Sequence, residues 1–275
     1  MRAISNWISW QLRSRIQPGS HIVSFVGDTK LQVHRGMHGA TGSIYCGLHE
    51  FEDMAFVLHF LRPSDLFIDI GANVGTYTVL ASGACGARTI SVEPVSTSVD
   101  ALQANIKLNC ITERVRLEIA VLGEQAGVVR ISNSLDCTNH VLLSDEAVSF
   151  ERVPMKTLDE LTQAEQPDLI KIDVEGFEMS VLKGGQELLA SPVLQGIIIE
   201  MNGSGQKYGV TDVEITGELH KFGFVPHQYE PMKRSIEPIL APTSRGGNVL
   251  FLRNIEFIRE RLISAKCFET MGEKI

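Results

Sequence analysis

The chain has 275 residues, enough for one large α/β domain with additions or two small domains, and its 44% hydrophobic and 21% charged content is that of a folded globular protein. A formal net charge of −8 with no Lys/Arg cluster excludes a nucleic-acid binder, which needs a basic stripe against phosphates. Cys46, Cys85, Cys110, Cys137 and Cys267 are odd in number and contain no C-x-x-C pair, so reduced thiols in a cytoplasm are expected, not a disulfide framework or a zinc site.

Ile4, Trp7, Ile8, Leu12 and Ile16 recur at helical spacing beside Arg2, Arg13 and Arg15, which predicts a short amphipathic helix packed on the body of the protein or on a second copy in a homodimer. It lacks the continuous apolar core and cleavage site of a secretory signal, and no stretch approaches the roughly 20 apolar residues of a membrane span. Two β-like runs, 21–26 and 30–34, follow among glycines. His34 and His38 have a ligand-like spacing, but Gly36 and Gly39 argue against a helix there, and no metal site is expected. Phe51, Met54, Ala55, Val57, Leu58 and Leu61 predict a helix over 50–61, ended by Pro63. Residues 1–60 thus read as an amphipathic helix and a small β-rich cap.

The main domain, 61–253, opens with a buried strand at 66–70, the turn Gly71-Ala72-Asn73-Val74-Gly75 and a helix over 76–83. A strand at 89–93 is stopped by Pro94, and a helix over 96–109 leads to a third strand at 115–121. An insertion over about 124–158 carries two short strands, 127–132 and 151–158. The parallel pattern resumes with a strand at 169–173, a helix over 178–189, a strand at 196–200, a helix over 213–222 and strands at 224–229 and 248–252. Strand, glycine turn, helix, strand is the opening of a doubly wound sheet. The connection 230–247 is longer than a compact domain tolerates without purpose and is expected to border the active site. Residues 254–275 read as a polar helical tail.

In such a sheet the ligand crevice lies outside the carboxyl ends of the strands, so the turn after the first strand faces it. Gly71 and Gly75 let the backbone approach a ligand, and Asp69 and Asn73 can order the loop and meet the ammonium and carboxylate of a methionine moiety. Glu93, about 20 residues past the turn, can accept both hydroxyls of an adenosine ribose, a requirement shared by NAD and S-adenosyl-L-methionine. The dinucleotide fingerprint needs glycines where Asn73 and Thr76 stand, so a pyrophosphate is disfavoured. Further on, Lys171, Asp173 and Glu175 crowd the end of a central strand, where burial and like charge perturb titration; Glu178 suits a helix N-terminus instead.

Residues 67–78 (FIDIGANVGTYT), Val92-Glu93-Pro94, Asn105-Ile106-Lys107-Leu108-Asn109, residues 157–161 (TLDEL) and residues 170–176 (IKIDVEG) together resemble the FkbM family of methyltransferases, in order and over roughly residues 47–252. The resemblance implies a class I methyltransferase fold: a Rossmann-like, doubly wound seven-stranded sheet with an antiparallel last strand, here behind a small N-terminal cap. It also implies S-adenosyl-L-methionine as donor and O-methylation of a hydroxyl on a sugar, glycan or secondary metabolite.

The expected cofactor-binding residues are Asp69, Gly71, Asn73, Gly75, Tyr77, Glu93, Pro94 and Ala120. The expected catalytic residues are Asp173 or Glu175 as proton acceptor, Lys171 tuning that pair, and Glu200 positioning a small-molecule or glycan acceptor. His140 and His227 lie on segments that can rim the pocket and are alternative bases. Two rivals remain: an NAD-dependent oxidoreductase and an inert cofactor-binding scaffold.

Overall fold

The computed structural model describes residues 2–17, 19–135, 138–143, 146, 148–163, 165–240 and 247–275; Cys137 lies outside the described residues, as do the side chains of residues 2–6, 8, 38 and 39. Helix α1 (Arg2–Ile16) precedes the hairpin of β1 (His21–Ser24) and β2 (Lys30–Val33), then α2 (His38–Cys46) and α3 (Phe51–Phe60). The inward face of α1 carries Trp10, edge-on to His21 at 5.3 Å, and Ser14. Trp7, Leu12 and Ile16 of the expected apolar stripe are exposed instead, because the face that meets the hairpin is the one carrying Trp10, which packs on His21. Residues 38–46 are helical despite their glycines: burial of Ala40 and Ser43 overrides weak local propensity, and Gly36 takes its left-handed φ of 92° in the turn before the helix.

The large sheet is built from β3 (Leu66–Ile70), β4 (Arg88–Val92) and β5 (Val115–Glu118), with α4 (Thr76–Thr78) after β3 and α5 (Ser96–Leu108) after β4. The chain after α4 widens into a π-helical stretch, Val79–Cys85, where an ordinary helix was expected. Strands β6 (Val121–Leu122), β7 (Gly127–Ser132) and β8 (Phe150–Lys156) form a separate three-stranded sheet, followed by α6 (Leu158–Thr162). The main sheet resumes with β9 (Leu169–Ile172), α7 (Glu178–Lys183), α8 (Gln186–Ala190), β10 (Gly196–Glu200), α9 (Asp212–Lys221), β11 (Val225–Glu230), β12 (Ser235–Pro238) and β13 (Asn248–Leu252). Gly184 and Gly185 divide what read as one helix, since a Cβ at Gly184 would lie 2.1 Å from the Gly123 carbonyl oxygen.

Strand order is β5-β4-β3-β9-β10-β13-β11-β12. The first five are mutually parallel, and β13 runs antiparallel between β10 and β11. This is the doubly wound class I methyltransferase sheet that was expected, with one strand added: the chain turns back through Arg234 (φ 52°) and lays β12 on the outer edge. The described part of the 230–247 connection therefore lies at that edge and does not border the cavity; residues 241–246 are outside the described residues.

After α10 (Ile255–Ser264) the tail is not helical throughout. It ends in a hairpin of β14 (Glu269–Thr270) and β15 (Glu273–Lys274), with Thr270 bridged to Val26 of the cap and Phe268 and Ile275 buried. The same core holds Phe25, Phe56, Leu252 and Ile258, so cap, sheet and tail share one apolar interior. Among the described residues no helix is long and apolar enough to cross a membrane.

Within that interior His59 is fully buried, its Nδ1 2.6 Å from the Tyr229 hydroxyl. Burial, helped by Arg234, lowers its pKa from 6.5 to about 4. Below 6.5 the unfolded chain takes up a proton that the folded chain refuses, so this contribution to stability shrinks as pH falls from 6.5 towards 4. Thermal melts of wild type and His59→Phe across pH 4 to 7 are expected to converge at the acid end; parallel curves would show that His59 is not the titrating group.

Candidate active site

A cavity of about 290 Å³ opens at the carboxyl ends of β3, β4, β9 and β10, where the crossovers on either side of β3 diverge. Its floor is the loop after β3. Gly71 sits at φ 79°, so close to β9 that a Cβ would lie 1.8 Å from the Asp173 carbonyl oxygen. Asn73 is left-handed too (φ 48°), and its backbone N–H donates to Glu93 Oε2 at 2.8 Å. The other oxygen, Oε1, accepts from the Val95 N–H at 2.9 Å, so Glu93 ties the glycine loop to the end of β4. Burial pushes the Glu93 carboxyl up to about 7, against the pull of those two backbone donors.

Of the expected cofactor-binding residues, Asp69, Gly71, Asn73, Tyr77, Glu93, Pro94 and Ala120 line this cavity. Gly75 does not; at φ 87° it makes room for Leu102, a packing role. Asp69 is turned inward, accepting from Thr78 Oγ1 at 2.7 Å, and burial raises its pKa. Tyr77 donates to Glu50 Oε2 at 2.6 Å while its ring lies 4.8 Å from the Lys171 ammonium.

The four expected catalytic residues all line the same cavity. Lys171 Nζ donates to Asp173 Oδ2 at 2.6 Å, and its side chain is 4% exposed against 27% for Asp173. Burial works to discharge Lys171, but Asp173, Glu50 and Asp69 around it outweigh burial and hold the ammonium charged. One oxygen from each of Asp173, Glu175 and Glu200 falls within 4.8 Å of the others, a spacing that suits a shared proton or a hard cation and that the sequence did not single out. Burial, then the neighbouring Asp173, raises Glu175 to about 7; the same causes with Glu175 added raise Glu200 to about 8. Glu200 Oε2 is buried without a hydrogen-bond partner.

His49 and Glu50, at the junction of α2 and α3, also line the cavity and were not anticipated. They precede the glycine loop by more than a strand and a helix, and no local motif marks them. Of the alternative bases, His140 reaches the cavity wall from the β7–β8 insertion, but both its ring nitrogens are engaged, Nδ1 with the Thr138 carbonyl at 3.0 Å and Nε2 with Glu146 at 2.9 Å. His227 is buried on β11 against the Val225 carbonyl and is not part of the cavity wall, because the inserted β13 separates its strand from β10. His34 is exposed, with Nδ1 near the Arg35 carbonyl.

A sheet reversed at β3, an antiparallel β13 beside β10, and a glycine loop held by an acid at the next strand end define a methyltransferase of class I fold. The methyltransferase FkbM domain matches residues 69–226, over half of the chain, and the chain belongs to that family. It is similar to the hexuronic acid methyltransferase AglP of Haloferax volcanii, with 24% identity over 168 residues that span 59% of this chain and 66%, just under two thirds, of that relative. Among solved structures it is similar to a precorrin-6y C5,15-methyltransferase of Geobacter metallireducens (12% identity, TM-score 0.43, 74% of this chain and 88% of that one). It is also similar to a SAM-dependent O-methyltransferase of Thermotoga maritima (12% identity, TM-score 0.40, 74% of this chain and 64% of that one).

Proposed function

We propose that the protein transfers a methyl group from S-adenosyl-L-methionine to a hydroxyl of a sugar or glycan. The observation that carries this reading is a single cavity lined both by a glycine loop gripped by Glu93 and by the carboxylates of Asp173, Glu175 and Glu200. The residues fit the donor. Gly71 lines the cavity as bare backbone pressed against the Asp173 carbonyl, where no side chain fits, and the buried Glu93 carboxylate has lone pairs left for two ribose hydroxyls. When bound, the donor supplies a methyl group already activated on a sulfonium.

What the chain must add is alignment and a destination for the hydroxyl proton. Asp173, Glu175 and Glu200 offer hydrogen-bond acceptors, the chemistry that holds neighbouring hydroxyls of a sugar ring. Lys171 fixes Asp173 through its 2.6 Å hydrogen bond. A relative named for hexuronic acid supports a sugar as acceptor, and the free Cys46, Cys85, Cys110 and Cys267 support a cytoplasmic setting.

Titration calorimetry with S-adenosyl-L-methionine and with NAD separates this reading from an oxidoreductase: only the former is expected to bind. Glu93→Gln places an amide where two backbone N–H groups need acceptors and is expected to weaken that binding about 30-fold. Methyl transfer from labelled donor to a panel of sugars and glycans separates an enzyme from an inert scaffold. Binding without transfer to any hydroxyl acceptor would overturn the proposal.

A further inference from the structure

The cap contributes to the cavity wall a histidine, His49, held in place by α2. Two consecutive residues of α2 seat the ring of His49. Gly42 leaves the space, since a Cβ there would lie 2.8 Å from the His49 Cβ and 3.1 Å from its Cγ. Ser43 Oγ engages Nδ1 at 3.0 Å. Nε2 is 3.7 Å from Glu50 Oε2, too far for a hydrogen bond, and that carboxylate already accepts from Tyr77. His49 is therefore a fixed ring in the cavity wall with one nitrogen occupied and the other not bonded to the adjacent Glu50 carboxylate.

We propose that His49 takes the proton of the acceptor hydroxyl during methyl transfer. This rests on reading the cavity as a hydroxyl methyltransferase site. It moves the proton from Asp173 or Glu175 to a residue outside the stretch matched by the family. With the Nδ1 proton donated to Ser43 Oγ, the Nε2 lone pair is open to the acceptor. As the carbon–oxygen bond forms, the sulfur–methyl bond breaks with its electron pair staying on sulfur, and the hydroxyl proton passes to Nε2. The imidazolium then loses that proton to solvent through the cavity mouth.

The competing groups are less suited. Asp173 has an oxygen committed to Lys171, and Glu175 and Glu200 stand within 4.8 Å of each other and of Asp173, so a proton taken by one is shared among the cluster. The charged groups facing His49 are Glu50 from its own junction and Lys171 and Asp173 from β9 and its end; burial lowers its pKa against the pull of Glu50, which keeps the ring neutral and able to accept. Asp173 and Glu50 then offset the positive charge that develops.

The test uses His49→Ala and His49→Gln in the full chain. Both are expected to lower kcat by about 10²-fold or more, with affinity for S-adenosyl-L-methionine within about twofold of wild type. Added imidazole is expected to restore turnover to the alanine variant in proportion to its concentration. The glutamine variant, which keeps a group for Ser43, is not expected to regain activity by holding the fold. Turnover near the wild-type rate in either variant, a loss of cofactor affinity in both, or an inactive alanine variant that imidazole does not repair would overturn the proposal. A wild-type protein that methylates no hydroxyl sinks instead the reading on which it rests.

Discussion

Gly71→Ala is expected to destabilise the protein by about 4 kcal/mol and to abolish detectable binding of S-adenosyl-L-methionine. Two costs add. The left-handed φ of 79° penalises any residue with a Cβ by about 1–2 kcal/mol. The methyl group must also displace the Asp173 carbonyl, 1.8 Å from where it would stand, and overpacking a site of this kind costs about 1–3 kcal/mol. That carbonyl is backbone at the end of β9, and the Asp173 N–H is itself bonded to the Ile70 carbonyl, so relief means prising β3 from β9 where the cavity forms. Gly223→Ala provides the control. Gly223 is also left-handed (φ 81°), but nothing lies within 4 Å of its absent Cβ, so only the conformational cost of about 1 kcal/mol is expected. Denaturant midpoints for the two variants measure the difference. Equal destabilisation would mean that β9 yields easily and that Gly71 is there for its backbone angles alone.

What could be read from the chain and what could not divide along a physical line. Leu66–Ile70, Gly196–Glu200 and Asn248–Leu252 were delimited to the residue because each is a short apolar run closed by polar or turn residues, a signal that needs no tertiary context. The glycine loop, Glu93 and the Lys171-to-Glu175 cluster were legible for a related reason: in this topology, function sits on the ends of strands, so finding the strand finds the site. His49 and Glu50 obey no such rule. They reach the cavity because α2 and α3 pack the cap against the sheet, and the glycine that seats His49 reads in the sequence only as a helix breaker. The packed face of α1 was misjudged because apolar spacing marks a stripe but not which large side chain finds a partner. The strand β12 and the terminal hairpin went unread because four and two residues of mixed polarity carry almost no periodic signal, and both are held by strands already in place.

Asp173→Asn is expected to lower kcat by about 10³-fold while affinity for S-adenosyl-L-methionine stays within about threefold of wild type. The substitution keeps the side-chain shape, and the Asp173 carbonyl that packs beside Gly71 is backbone, which the substitution leaves unchanged. What changes is charge. The Lys171 ammonium, 4% exposed, loses the partner 2.6 Å away and is left with Glu50 and Asp69. A neutral amide then faces the acceptor where an anion should hold a hydroxyl and offset positive charge developing nearby, and such preorganised electrostatics act only as that charge appears. The loss should therefore fall on kcat more than on KM. A lost ion pair acting through the fold would instead lower the melting temperature and the cofactor affinity together. Lys171→Met separates the two roles, since it strands Asp173 and Asp69 without their cation and is expected to cost about 3–5 kcal/mol of stability. If Asp173→Asn turns over at the wild-type rate, Asp173 serves only to neutralise Lys171, and the acceptor is held by Glu175 and Glu200 without it.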